Sequence, residues 1–161
     1  MQRLKKSLRE TKGLIMTSKG NLFHGSPNKL KGDALLPSQG DDSDERPENN
    51  LFGVYATDRK DLAIVMGILG CKDVIGGSID ANGKKDELNA IIYGDFPKQE
   101  FIYVYHLPGN TFKQTKVDKH QFVSQVPVKP INVEKVLIKD YTHLLKKGSQ
   151  EEKKAWLEKY G

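Results

Sequence analysis

The first residues whose types and spacing could do chemistry are His24, Gly25 and Ser26, which directly follow the apolar pair Leu22-Phe23. An imidazole can donate or accept a hydrogen bond, so His24 could bind a sugar hydroxyl. Gly25 lacks a Cβ, and a ligand could therefore approach its backbone amide and carbonyl closely. This order of residues predicts a strand that presents polar groups at its end.

A second candidate is Tyr55, which lies inside the strand-like run from Leu51 to Asp58. Thr57 and Asp58 can both cap free helix amides, so we expect a helix to begin at one of them and to run towards Gly70. Four of its apolar residues are expected to face a sheet: Leu62, Ala63, Val65 and Met66. The pattern places Tyr55 on a strand that leads directly into this helix.

A third candidate is Gln121, the polar first residue of the strand-like run Gln121–Val128. Further strands are expected at Ala90–Tyr93, Glu100–Leu107 and Ile131–Ile138, which are rich in β-branched and aromatic residues. Between the expected helix and these strands, residues 72–90 are rich in turn-forming residues. They include Gly76-Gly77 and the hairpin-favouring pair Asn82-Gly83.

The order of these three motifs resembles the ADP-ribosyltransferase superfamily of the His-Tyr-Glu class. The matching parts are His24-Gly25-Ser26, then Val54-Tyr55-Ala56-Thr57 with its helix, then a late strand with a polar head, over roughly residues 21–140. The resemblance implies an α+β fold with a split two-sheet β core and flanking helices. It also implies NAD as co-substrate and no metal.

The resemblance assigns a role to each residue of the first two motifs. The histidine binds the nicotinamide ribose, the glycine backbone pairs with the carboxamide, and the tyrosine stacks on the nicotinamide ring. Carried over, these become His24, Gly25 and Tyr55, and Ser26 is a further ribose-side hydrogen-bond candidate. The third motif departs from the family, because Gln121 stands where a catalytic glutamate usually opens the strand. Gln125 and Glu100 are alternative occupants of that position.

The implied activity is mono-ADP-ribosyl transfer from NAD to a macromolecular acceptor, with release of nicotinamide and with His24, Tyr55 and Gln121 as the catalytic residues. Cleavage of a glycosidic bond builds positive charge on the sugar, which a carboxylate stabilises and an amide does not. Gln121 therefore supports one alternative, a catalytically weak NAD-binding pseudoenzyme. Another alternative is a relative of the RNA 2′-phosphotransferases, which modifies nucleic-acid ends.

Length and composition set the broad class of the protein. The 161 residues, 37% of them hydrophobic, predict a single domain over residues 1–161. Cys71 is the one cysteine, which excludes internal disulfides and a thiolate zinc cluster and favours a reducing cytoplasmic location. No apolar run approaches the ~20 residues that span a bilayer. The histidines His106, His120 and His143 lack metal-ligand spacing.

Charge and the chain ends bear on partners. The net charge of +5 suits anionic partners, NAD included. The lysines are spread along the chain without interleaved aromatics, so a protein acceptor is favoured over nucleic acid. We expect residues 1–13 to form a basic N-terminal arm, and the apolar-free stretch Gln39–Asn50 predicts a surface loop without calcium-loop spacing. In segment 149–161, Ser149 and Glu152 match a capping box and predict a helix.

The sequence contains no feature that decides the oligomeric state.

Overall fold

The computed structural model describes residues 20–39, 51–83, 85, 87–116 and 118–161. These residues form a mixed α+β fold in which strands predominate. The strands are β1 (Asn21–Ser26), β2 (Ser38–Gln39), β3 (Phe52–Thr57), β4 (Gly76–Asp80), β5 (Asn89–Tyr93), β6 (Phe101–Pro108), β7 (Lys113–Gln114), β8 (Gln121–Ser124), β9 (Asn132–Leu137) and β10 (Lys146–Lys147). The α-helices are α1 (Lys60–Leu69) and α2 (Gln150–Tyr160), and short 3₁₀ helices span Ile138–Asp140 and Thr142–Leu144. The basic arm 1–13 and residues 40–50 of the expected surface loop lie outside the described residues.

The described strands form two sheets. The larger sheet has seven strands in the order β7-β8-β3-β1-β6-β9, and β2 pairs with β3 beside this path. Its strand pairs are antiparallel. The smaller sheet has the order β10-β5-β4, with β10 parallel to β5. Two sheets with two α-helices are therefore present, as the sequence predicts in outline.

One row of paired residues crosses five strands of the larger sheet at a single level. Gln121 pairs with Thr57, and Thr57 also pairs with Phe23. Phe23 pairs with His106, which pairs with Asn132. Directly paired side chains project from the same face of a sheet. Phe23 packs against the buried residues of α1, so we call this side the α1 face and these five residues the cross-strand row.

Strand β6 is buried on both faces of the larger sheet, and it accordingly carries apolar residues at consecutive positions. Ile102 and Val104 pack with α1 and are fully buried. Tyr105 and Leu107 belong to a second cluster on the opposite face. Each such side chain contributes roughly 1.5–3 kcal/mol relative to exposure. Two apolar layers thus hold β6 in place, and β1, which pairs with it along its whole length, is held with it.

Helix α1 begins later than the sequence predicts. Its N-cap is Arg59, with no side-chain cap bond, and Thr57 is the last residue of β3. The Thr57 hydroxyl accepts the Arg59 amide at 3.1 Å, and Asp58 contacts His120, so neither caps the helix. The Asp61 carboxylate instead accepts the Leu62 amide at 2.8 Å in the first turn.

The buried face of α1 also differs from the expected one at one position. Leu62, Ala63 and Val65 are buried as expected, whereas Met66 is 43% exposed and Ile64 and Ile68 are buried with the core. The helix ends at Leu69, and the Gly70 amide donates to the Met66 carbonyl at 3.0 Å. The expected end near Gly70 is confirmed.

The C-terminal helix α2 has the predicted capping box. The Ser149 hydroxyl accepts the Glu152 amide at 3.0 Å, and the Glu152 carboxylate accepts the Ser149 amide at 3.3 Å. Trp156 packs beside Tyr93 with ring centroids 5.7 Å apart, and a Cβ on Gly76 would meet the indole. Leu157 is 40% exposed, whereas Trp156 and Tyr160 of the same helix are half-buried. Within the described part of the chain, no helix combines the length and the apolar character needed to cross a bilayer.

Two local predictions need correction. Gly76-Gly77 is the start of β4, and Asn82-Gly83 lies within the connection 81–88 and is not a two-residue hairpin turn. The run expected to extend from Gln121 to Val128 ends as a strand at Ser124. The Ser124 hydroxyl donates to the Val126 carbonyl at 3.0 Å, which turns the chain, and Val128 then bridges to Leu35.

Candidate functional site

Strands β1 and β3 meet at one residue pair and then separate. They pair at Phe23 and Thr57, while β1 continues along β6 as far as Ser26 and β3 pairs with β8 from Val54 to Thr57. We call the region between residues 24–26 of β1 and residues 54–56 of β3 the split. Strand edges that are not paired with each other leave backbone and side-chain polar groups available to a ligand.

The His24 ring joins the two strands across the split. Its Nδ1 lies 2.6 Å from the carbonyl oxygen of Tyr55, and because a carbonyl only accepts, Nδ1 carries the proton. Burial lowers the pKa of His24, with the hydrogen bond to Tyr55 acting in the opposite direction. A neutral ring protonated at Nδ1 has an unprotonated Nε2. His24 therefore presents a hydrogen-bond acceptor, and no described residue donates to it.

Gly25 lies directly beneath helix α1. A Cβ at this position would be 1.8 Å from the Ala63 carbonyl oxygen and 3.0 Å from the Gly67 amide nitrogen. A Cβ on Gly67 would likewise be 3.2 Å from the Ser26 amide nitrogen. Close packing of β1 on α1 is therefore enough to require glycine at position 25. The sequence interpretation, which attributed this glycine to ligand approach alone, missed that reason.

Tyr55 and Ser26 are both fixed by local hydrogen bonds. The Tyr55 hydroxyl donates to the Leu51 carbonyl at 2.8 Å, and burial raises the pKa of this phenol. Ser26 Oγ accepts the Asn28 amide at 3.1 Å, which shapes the turn after β1. Both side chains are half-buried. They border the split from opposite strands.

Gln121 is held at the head of β8. Its backbone pairs with Thr57, and its Oε1 lies 2.9 Å from the Thr115 hydroxyl. Thr115 is buried, whereas Gln121 is half-buried. Of the alternative occupants of the third motif, Gln125 is exposed just beyond the end of β8, and Glu100 is exposed just before β6. Gln121 is thus the candidate whose strand position pairs with the end of β3.

The three candidate side chains do not project from one face. Tyr55 and Gln121 share the α1 face, because Tyr55 pairs with Val123 two positions along β8. His24 alternates with Phe23 and lies on the opposite face, near Tyr105 at 6.3 Å between ring centroids. The structure brings His24 and Tyr55 together through the Tyr55 carbonyl. A ligand in the split would contact both faces.

Sequence reasoning missed a group of charged residues around the end of β3. His120 Nδ1 lies 2.8 Å from the Asp58 carboxylate, and Arg59 makes a two-point contact with Asp61 at 3.1 and 2.8 Å. The His120–Asp58 contact ties the segment between β3 and α1 to the residue that precedes β8, and the Arg59–Asp61 pair links the same segment to the first turn of α1. The four consecutive charged residues at positions 58–61 were the available signal.

A second ion-pair group lies on the α1 face beside the cross-strand row. Lys60 Nζ is 2.6 Å from Glu134, and this lysine is the main cause of the lowered pKa of Glu134. His106 Nε2 is 3.4 Å from the other carboxylate oxygen. These contacts link α1 to β6 and β9. Neither His106 nor His120 belongs to a group of three metal-ligand residues within the described ranges.

Cys71 is buried and bonded through Sγ to the Gly67 carbonyl at 3.6 Å. Burial, with a smaller effect of Asp73, raises its pKa to about 11. A thiol protonated at neutral pH is a poor nucleophile. Cys71 is therefore part of the hydrophobic core, and the candidate chemistry stays with the split.

Comparison of the chain with protein families, with curated proteins and with solved structures found no match.

Proposed function

We propose that this protein binds NAD in the split and transfers ADP-ribose to a macromolecular acceptor, with release of nicotinamide. The observation that carries the proposal is the His24 ring, fixed by the Tyr55 carbonyl at the point where β1 and β3 separate. A neutral imidazole held there offers Nε2 to a ribose hydroxyl. This fits the role that the resemblance assigns to the first motif.

The other residues of the split have roles suited to their chemistry. The backbone of Gly25 supports recognition of a carboxamide, since an amide both donates and accepts. The Tyr55 ring offers an aromatic face to a planar cationic base, and its hydroxyl bond to Leu51 limits its rotation. Ser26 borders the same ligand from β1. These residues bind and orient NAD. Cleavage of the glycosidic bond of NAD then builds positive charge on the ribose, which the site must stabilise.

Gln121 favours a second candidate, an NAD-binding protein with weak catalysis. A side-chain amide carries no charge, so it cannot stabilise positive charge on the ribose as a carboxylate would. The Thr115 contact nevertheless shows that the side chain is held in place. The two candidates share the binding site and differ only in the rate of nicotinamide release.

The decisive experiment measures NAD binding by calorimetry and nicotinamide release by chromatography on the full chain. It then incubates the protein with labelled NAD and a cell lysate and scores label on protein and on nucleic acid separately. Binding with release and labelled protein supports the transferase, and binding without release supports the pseudoenzyme. His24→Ala should lose binding, and His143→Ala, at an exposed histidine outside the split, is the matched control. Absence of NAD binding by the wild type would reject both candidates.

A further inference from the structure

Buried polar residues are few in the described part of the chain, and one of them, Thr115, contacts a candidate site residue. Thr115 is 7% exposed, and its hydroxyl lies 2.9 Å from Gln121 Oε1 and 3.4 Å from the Asp118 carbonyl. A hydroxyl has a single proton to donate. The shorter contact identifies Gln121 as its acceptor.

The backbone around this contact is also closed by hydrogen bonds. The Thr115 amide donates to the Gln121 carbonyl at 2.9 Å, and the Gln121 amide donates to the Asp118 carbonyl at 3.2 Å. The Asp118 carboxylate accepts the His120 amide at 2.8 Å. The loop between β7 and β8 therefore holds Thr115 and Gln121 in one fixed relation. Threonine has few side-chain rotamers, which adds to the rigidity of the contact.

We propose that Thr115 is a positioning residue, which holds Gln121 with its oxygen inward so that Nε2 is presented to the ligand as a hydrogen-bond donor. No described residue accepts from this Nε2. The group that it recognises must then be an acceptor, such as a ribose hydroxyl oxygen of NAD. This inference rests on the proposed function and deepens it, because His24 supplies an acceptor and Gln121 a donor to the same class of ligand.

The test compares three variants of the full chain. Thr115→Val removes the hydroxyl at nearly constant shape, and Thr115→Ser keeps it. Thr111→Val is the matched control, because it removes a similar 2.9 Å hydroxyl contact to Ser124 at the other end of β8. Thr115→Val removes the neutral hydrogen bond between Thr115 and Gln121. The energy of one such bond corresponds to about a 2- to 10-fold lower affinity for NAD. We expect Thr115→Val to show this loss, Thr115→Ser to restore most of it, and Thr111→Val to bind as wild type.

Two readouts separate positioning from a general structural effect. The first is the side-chain amide signal of Gln121 in ¹⁵N NMR spectra, assigned by its disappearance in Gln121→Glu. It should shift in Thr115→Val and stay in place in Thr111→Val, with or without NAD. The second is a double-mutant cycle, in which Thr115→Val should have no further effect on NAD affinity once Gln121 is alanine.

The outcomes distinguish this inference from the proposed function. An unchanged Gln121 signal in Thr115→Val, or equal losses of affinity with and without Gln121, overturns the positioning role while leaving NAD binding intact. A shifted signal in a protein that does not bind NAD rejects the proposed function, and with it the role of Gln121 towards that ligand.

Discussion

The His24 ring donates its Nδ1 proton to the Tyr55 carbonyl across 2.6 Å, and this bond joins β1 to β3 beyond the residue pair where their ladder ends. One contact therefore sets the tautomer of the ring and bridges the split. In the proposed function ligand recognition depends on this bond as well as stability, so changes at these two residues are the most informative tests.

The first prediction concerns pH. Burial lowers the pKa of His24 below its ordinary value of 6.5, so the unfolded chain binds this proton more readily than the folded one. The stabilisation is complete above pH 6.5 and is lost as the pH falls below that value. We expect the free energy of unfolding in urea to decrease between pH 7 and pH 5, and to decrease less in His24→Asn, which keeps a donor for Tyr55. His143→Asn should behave as wild type, and identical pH slopes in all three proteins would contradict the prediction.

The second prediction separates the ring of Tyr55 from its hydroxyl. Tyr55→Ala should weaken NAD binding by about 1–3 kcal/mol, because an aromatic face is lost from a desolvated cation site. Tyr55→Phe keeps the ring and loses the bond to Leu51, which should cost at most about 0.5–1.5 kcal/mol of stability and little affinity. Calorimetry and urea unfolding measure the two effects. Equal affinity losses in the two variants would show that the hydroxyl, and not the ring, binds the ligand.

The third prediction concerns charge at position 121. Gln121→Glu introduces a carboxylate, and the Thr115 hydroxyl is already placed to donate to it at the position of Oε1. One preorganised electrostatic group is worth about 3–4 kcal/mol in other enzymes, so nicotinamide release should rise well above that of wild type. Partial burial of the new carboxylate raises its pKa and reduces the gain at low pH. Release is measured for wild type, Gln121→Glu and Gln121→Ala. A fast wild type with an unaffected Gln121→Ala would place the catalytic polar group elsewhere, and Gln125 would be tested next.

The fourth prediction concerns the contact between β1 and α1. Gly25→Ala would put a Cβ 1.8 Å from the Ala63 carbonyl oxygen, a backbone atom that cannot turn aside. We expect a loss of at least about 3 kcal/mol, the upper end of typical overpacking costs, measured as a lower urea midpoint. Gly32→Ala is the matched control, since nothing lies within 4 Å of its added Cβ, and its stability should change by less than about 1 kcal/mol. A folded Gly25→Ala protein with wild-type stability would show that β1 can move away from α1.

The positions of several strands along the chain could be predicted from the sequence, because long β-prone runs carry their own signal. The run at residues 100–107 corresponds to β6 (Phe101–Pro108), and the run at residues 131–138 corresponds to β9 (Asn132–Leu137). The capping box at Ser149 was also readable, since it depends on residues three positions apart. These are local features, and local propensity determined them.

Other features depend on partners that are distant in the chain. Gly76-Gly77 has the composition of a turn, yet Gly76 lies under Trp156 in a strand. Asp58 is of a residue type that is common at helix N-caps, yet its carboxylate contacts His120, 62 residues away. At the candidate site, His24 and Tyr55 could be named from sequence, while the Thr115 contact could not, because it depends on the closure of the β7-β8 loop. Tertiary contacts override local propensity at each of these positions.

The single Phe23–Thr57 pair between β1 and β3 has a mechanical consequence. On one side, β1 is paired to β6 throughout and lies on α1 without an intervening side chain; on the other, β3 is paired to β8. The two sides are joined outside the ladder by the His24–Tyr55 bond and by the buried cluster that includes Leu22 of β1 and Val54 of β3. Ser26 lies three residues beyond the pair, about 10 Å along the strand, at the far end of the split. The separation of the two strands at the split is thus maintained by side-chain packing and one side-chain hydrogen bond, and not by a continuous ladder.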